Sequence, residues 1–181
     1  MAITLADVSV RYSVPSATEG DADAQPNPRA SLGKHVSTTV CPSDQLHNLF
    51  GPVTRDEAMA SGNRYLCLFV VNTHATLTWQ GVKVWLASQL AGGAIIAIGL
   101  DPVGVVDVDD TDDQAATAAS ITTAPTGVTF SRPRTEAVAL SVGDVGPGQC
   151  FAVWIRQQWA ADPAAKNEDW ARLRVTGTTE A

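Results

Sequence analysis

The chain has 181 residues, with 12 Lys or Arg against 19 Asp or Glu for a formal charge of −7, a length that suits one domain of ordinary size. Apolar residues make up 45%, which excludes a chain disordered throughout, and the net acidity excludes a general nucleic-acid binder because neutralising phosphate takes clustered Lys and Arg. Five acids (Asp107, Asp109, Asp110, Asp112, Asp113) crowd one stretch, and setting those five aside leaves −2, so the acidity is local.

The start, Met1 to Asp7, lacks a basic region followed by an apolar one, so no secretory signal is expected. Residues 7–14 alternate, with Val8, Val10, Tyr12 and Val14 on one face, which predicts a half-buried strand ended by Pro15. Residues 16–33 carry no apolar period and predict a loop or extended arm. A second strand is expected over 34–40. Thr54-Arg-Asp-Glu57 has the spacing of a capping box, in which hydroxyl and carboxylate satisfy each other's orphan amides, and Gly62 stops that short helix. Over 65–71 both alternating sets are apolar (Tyr65, Cys67, Phe69, Val71 against Leu66, Leu68, Val70), the signature of a strand covered on both sides.

Strands follow over 76–79 and 82–86 with a turn at Gln80-Gly81, then over Ala94–Leu100, closed by Asp101-Pro102. The longest apolar run, Leu90 to Leu100, is eleven residues, well short of the roughly 20 of a membrane helix, so a soluble protein is expected. Beyond the acidic stretch, strands are predicted over Gly127–Phe130, Glu136–Val142, Gln149–Gln157 and Trp170–Thr176, with Gly143–Gly148 as a turn. Val and Thr supply 38 of 181 residues, and branching at Cβ favours the pleated strand. About nine or ten short strands punctuated by Gly and Pro predict an all-β domain, an antiparallel sandwich or jelly roll with one short helix.

Chemistry leaves few traces. No nucleophile elbow, phosphate-binding Gly loop or zinc-ligand spacing occurs, and His35, His47 and His74 are scattered, so neither an enzyme nor a cofactor is expected. Cys41, Cys67 and Cys150 are odd in number; Cys67 and Cys150 are read as small core hydrophobes, with a bridge between them as the alternative. The acidic stretch offers oxygen ligands at alternate positions, as Ca²⁺ prefers, but the EF-hand pattern fails because Asp112 stands at its glycine and Ala118 at its glutamate. A solvated loop without an ion is the simpler reading. Trp85, Trp154, Trp159 and Trp170, bordered by Arg156, Arg172 and Arg174, suit a subunit interface, a sugar platform, or plain packing of a second sheet.

The order of segments is more telling than any motif. It runs Asp7-Val-Ser-Val-Arg-Tyr12, Asn27-Pro-Arg-Ala-Ser-Leu-Gly33, Asn48-Leu-Phe-Gly-Pro-Val-Thr-Arg-Asp-Glu57 and Tyr65-Leu-Cys-Leu-Phe-Val-Val-Asn-Thr-His74. Then come Ala94–Pro102, Thr123–Pro133, Gly148-Gln-Cys-Phe-Ala-Val-Trp-Ile-Arg156 and Leu173-Arg-Val-Thr-Gly177. The series resembles small virion-associated structural proteins of tailed bacteriophages over nearly the whole chain. The acidic run at 107–113 and the stretch Asp21–Gln25 depart from that pattern as longer, more charged loops.

The resemblance implies a non-enzymatic component of the virion (capsid decoration, neck, or tail or baseplate) made in the host cytoplasm. Its expected partners are other virion proteins and copies of itself, with neither nucleic acid nor membrane among them. The alternative is a host-recognition sandwich that binds carbohydrate. As a virion component, the chain is expected to use the 16–33 segment, if an arm, to add a strand to a neighbouring subunit's sheet edge.

Overall fold

The computed structural model describes residues 2–15, 23–91, 93–162 and 169–179. Its strands are β1 (Val8–Val14), β2 (Gly33–Val40), β3 (Gly62–Asn72), β4 (Trp79–Gln89), β5 (Ile95–Asp107), β6 (Ala115–Thr117), β7 (Leu140–Val145), β8 (Gln149–Trp159) and β9 (Ala171–Thr178). They form two antiparallel sheets, ordered β5-β8-β3-β1-β2-β6 and β7-β4-β9, so the expected all-β sandwich is the fold.

The centre of the large sheet is the β3–β8 pair, which runs from Gly62 opposite Trp159 to Val71 opposite Cys150. Leu66, Leu68 and Val70 with Phe151, Val153 and Ile155 point toward Val82, Val84 and Leu86 of the small sheet. The alternate residues, Cys67, Phe69 and Val71 with Ala152 and Trp154, enter a second core with Val36, Ala115 and Ala118. Two cores on opposite faces are why both alternations in 65–71 are apolar. Each fully buried Val, Leu or Phe contributes about 1.5–3 kcal/mol, so this pair is the anchor of the domain.

Helix α1 (Arg55–Ala58) forms as expected, with Glu57 N–H bonding Thr54 Oγ1 at 3.3 Å and Thr54 N–H bonding Glu57 Oε2 at 2.8 Å. Gly62 opens β3; a Cβ there would lie 2.3 Å from the Trp159 ring, so the glycine makes room for that indole.

Several boundaries differ from expectation, each for a local reason. Asp101-Pro102 does not end β5: the ladder with β8 breaks after Leu100, opposite Val153, and resumes at Val105, opposite Phe151. The intervening residues leave the ladder and turn the Asp101 side chain inward. Gln80-Gly81 is an irregularity inside β4 with φ +59° at Gly81, so 76–79 and 82–86 are not two strands joined by a turn. Gly127–Phe130 is not a strand; Val128 and Phe130 pack on the second core, and Ser131 alone bridges to Ile98. Glu136–Val138 is a 3-10 turn, and β7 starts later, at Leu140. Cys67 and Cys150 are free thiols. Cys150 lies opposite Val71, four residues along β3 from Cys67, or about 13 Å, beyond disulfide reach.

Of the two expectations for 16–33, a loop or an extended arm, the described part before β2 is a loop with one 3-10 turn. The first part, 16–22, lies outside the described residues, but 23–33 is built into the domain. Thr38 N–H bonds the Asp23 carbonyl at 2.9 Å, and Gln25 Nε2 donates to the Ser13 and Ala30 carbonyls at 3.2 Å. Ser31 is fully buried; its Oγ donates to the Cys67 carbonyl at 2.5 Å and accepts from Ser13 N–H at 2.7 Å. Ser31 thus continues the β3 ladder where β1 leaves it. A polar segment with no apolar period reads as loose, yet here its side chains replace missing backbone partners.

Candidate interaction surface

Of the residues singled out from sequence, three tryptophans are structural. Trp154 has no exposed surface, so it cannot meet a partner. Its Nε1–H donates to Asp101 Oδ2 at 2.8 Å, and the same carboxylate accepts from Ala116 N–H at 2.9 Å and Val103 N–H at 3.0 Å. The β5 excursion is what delivers this carboxylate. Trp159 is buried too, its Nε1–H shared between the Glu57 and Ala60 carbonyls at 3.1 Å. The Arg64 guanidinium lies 5.4 Å from the Trp159 ring centre. Trp85 is buried beneath Arg174, whose guanidinium sits 5.9 Å from the ring centre. Alternation along a strand shows which side chains point away from one core and cannot show what covers them. The interface reading for Trp85, Trp154 and Trp159 is therefore corrected to internal packing.

Arg64, itself buried, donates to the Gly51 carbonyl at 2.9 Å, the Pro52 carbonyl at 3.2 Å and Glu57 Oε1 at 2.6 Å. Those bonds, the Arg64 contact first and the Thr54 amide next, hold the Glu57 carboxyl down at about 2. A carboxyl lowered in the folded state stabilises it above the unfolded value of 4.5, and that stability is lost as pH falls toward 2. Because the side chain is 41% exposed, solvent screening limits its worth to about 1 kcal/mol. Glu57→Gln should therefore lower the urea midpoint at pH 6 and flatten its decline between pH 5 and pH 2.5. An unchanged acid slope would refute the pair's role.

Arg156 lies elsewhere, on the second-core side of β8, with its guanidinium 5.4 Å from the Phe130 ring centre. The surface that does form is the outer face of the small sheet and its end where Gln89 stands opposite Ala171. Trp85 stands opposite Arg174 and Ser88 opposite Arg172, so β4 and β9 place both arginines on one exposed face. Trp170, just before β9, is 47% exposed, and its carbonyl accepts from Leu90 N–H at 3.0 Å.

Two further arginines that sequence reasoning missed lie at the same end of β4, held by Gln89, whose side chain alternates to the other face from Ser88 and Arg172. Arg134 Nη2 donates to Gln89 Oε1 at 2.9 Å, and Arg132 Nη2 reaches the same oxygen at 3.4 Å. Pro133 between them offers its carbonyl to Leu86 N–H at 2.8 Å, which fixes the segment against β4. The signal was Arg-Pro-Arg itself: two positions apart in an extended segment share one side.

The acidic stretch sits at the far end of β5. Gln114 closes it from within, Nε2 donating to the Asp107 and Val108 carbonyls at 2.8 and 2.9 Å and Oε1 accepting from Val36 N–H at 2.8 Å. Asp112 N–H caps Asp110 Oδ1 at 3.0 Å, and Gln149 Nε2 bonds Asp107 Oδ1 at 3.0 Å. His35, nearly fully buried, has Nε2 3.9 Å from Asp113 Oδ1. Burial first, then Lys34, pushes the imidazole below its usual value, against the opposing pull of Asp113 and Asp110. Among the described residues no three His, Cys, Asp or Glu come together to hold a metal ion. The stretch holding Asp107, Asp109, Asp110, Asp112 and Asp113 is a loop braced by the Asp110 carboxylate and by Gln114.

A shallow depression of about 330 Å³ is lined by Glu57, Gly62, Asn63, Tyr65, Thr122 and Trp159. Its one carboxylate is committed to Arg64 and Thr54, and a general acid–base pair needs a second group of raised pKa nearby. No helix among the described residues is long and apolar enough to cross a membrane. The chain matches no protein-family model, no curated protein and no solved structure.

Proposed function

We propose that the chain is a structural component of a tailed-bacteriophage particle that acts through contacts between subunits. One observation carries this reading: a sheet cored on both faces is paired with an arginine-rich end of the small sheet. There Arg132, Arg172 and Arg174 are exposed and Arg134 is half-buried, and none of the four enters an ion pair within the described residues. Arginine and tryptophan together are the residues that dominate protein contacts. A rigid domain with such a face suits repeated docking, and the resemblance of the strand phrases to virion proteins names the setting. The carbohydrate reading has less support, since of the tryptophans offered as a platform Trp85, Trp154 and Trp159 are buried and Trp170 is exposed.

Mass spectrometry on purified particles, followed by imaging of the chain within them, tests the proposal. The expected result is a protein present in stoichiometric copies that survives particle purification. Its absence from particles whose other virion proteins are all detected would overturn the proposal.

A further inference from the structure

We infer that copies of this chain associate head to tail, the acidic end of one docking on the arginine end of the next. This rests on the reading of the chain as an assembly protein and adds the partner and the polarity of the contact. Ile95 pairs with Gln158 at one end of the β5–β8 ladder, and Asp107 pairs with Gln149 at the other. The nine residue steps of β8 between those pairs span about 30 Å.

At the Asp107 end stand Asp109, Asp112 and Asp113, all exposed. Near the Ile95 end, Gln89 Nε2 donates to the Ala94 carbonyl while its Oε1 gathers Arg132 and Arg134, and Arg172 stands opposite the neighbouring Ser88. Charges in water are screened over about 8 Å at physiological salt, so the two ends do not neutralise each other within one molecule. Among the described residues Arg64 pairs with Glu57 and His35 lies 3.9 Å from Asp113, and no ion pair involves Arg132, Arg134, Arg172, Asp109 or Asp112.

The occupant follows from the signs. One chain carries both complementary patches, so a second copy satisfies each. A two-fold contact through either patch alone would set like charge against like. A reciprocal antiparallel pair would stop at the dimer, so species beyond the dimer mark the head-to-tail arrangement and a strict dimer would overturn it. A head-to-tail contact sets opposite charges together, and such heterologous contacts build rings when the rotation closes and filaments when it does not. Trp170, 47% exposed just before β9 and bonded through its carbonyl to Leu90 N–H, supplies apolar area at that end.

The test uses the purified full chain, by sedimentation and light scattering across salt. The wild type should form species larger than a dimer at low salt, with association weakening about tenfold or more between 50 mM and 500 mM NaCl. An acid-reversed variant (Asp109→Lys, Asp112→Lys, Asp113→Lys) and an arginine-reversed variant (Arg132→Glu, Arg172→Glu) should each be monomeric alone. Mixed together they should associate again, since each then offers what the other lacks. Circular dichroism and melting curves establish that both variants fold, and the salt series on the wild type needs no variant at all.

A wild type that is monomeric or strictly dimeric at every salt, association indifferent to salt, or folded variants that fail to associate on mixing would each overturn the inference. The two proposals fail separately. A monomer found in purified particles removes only the head-to-tail contact, and charge-dependent association of a chain absent from particles removes only the virion role.

Discussion

Asp101→Ala should lose about 3 kcal/mol of stability in urea unfolding, although it removes one small buried side chain. The carboxylate accepts from Trp154 Nε1–H and the Ala116 amide, and the indole has no exposed surface on which water could replace it. Each buried donor left without an acceptor costs about 1–3 kcal/mol. Val103, the third donor, is 45% exposed and recovers its bond from solvent. Asp101→Asn keeps one oxygen and should cost about half as much. Adding Trp154→Phe to Asp101→Ala should cost less than the sum of the single changes, because the phenyl ring brings no donor. Simple additivity in that cycle would show that the indole and the carboxylate do not act on each other.

Gly33→Ala is expected to be at least as damaging, about 3 kcal/mol or more, and to show as lost soluble yield or a large drop in melting temperature. Gly33 sits at φ +92°, where a side chain is strained, and a Cβ would fall 1.8 Å from the Ala116 carbonyl oxygen and 2.8 Å from the Trp154 ring. The carbonyl is backbone, paired across β2 and β6, so it cannot swing aside as a flexible side chain would. Gly81→Ala is the matched control: φ is +59° and nothing lies within 4 Å, so the cost is conformational alone, about 1 kcal/mol. Equal melting temperatures for the two variants would mean that the close approach at Gly33 is relieved easily.

How much of this was legible varies with the kind of signal. The doubly apolar run 65–71 announced a covered central strand, and Thr54 with Glu57 announced α1, because periodicity and capping are local properties. The continuation of β5 past Asp101-Pro102 was not legible. An Asp-Pro pair looks like a stop, and only the register with β8 shows the ladder resuming at Val105. Residues 23–33 read only as a loop or an arm because Ser, Asn and Gln give no apolar period, while their bonds to Ser13 and Cys67 are long-range. The tryptophans misled for the same reason, since the second core that buries Trp154 is assembled from β2, β6 and the segment holding Val128 and Phe130. Of the candidate surface, Arg172, Arg174 and Trp170 could be found by sequence. Arg132 and Arg134 became part of it only once Gln89 was seen to hold them.

The pairing of β3 with β8 also governs how the polypeptide must leave the ribosome. Cys67 and Trp154 stand 87 positions apart, and β3 ends 78 positions before its partner reaches Cys150. At roughly 5–20 residues per second, the nascent β3 waits about 4–16 seconds with two greasy faces uncovered. That delay makes it the stretch most exposed to wrong pairing between neighbouring nascent chains. Its flanks are polar, with Asn63 and Arg64 before the run and Asn72 after it, in the positions where gatekeepers restrain such encounters.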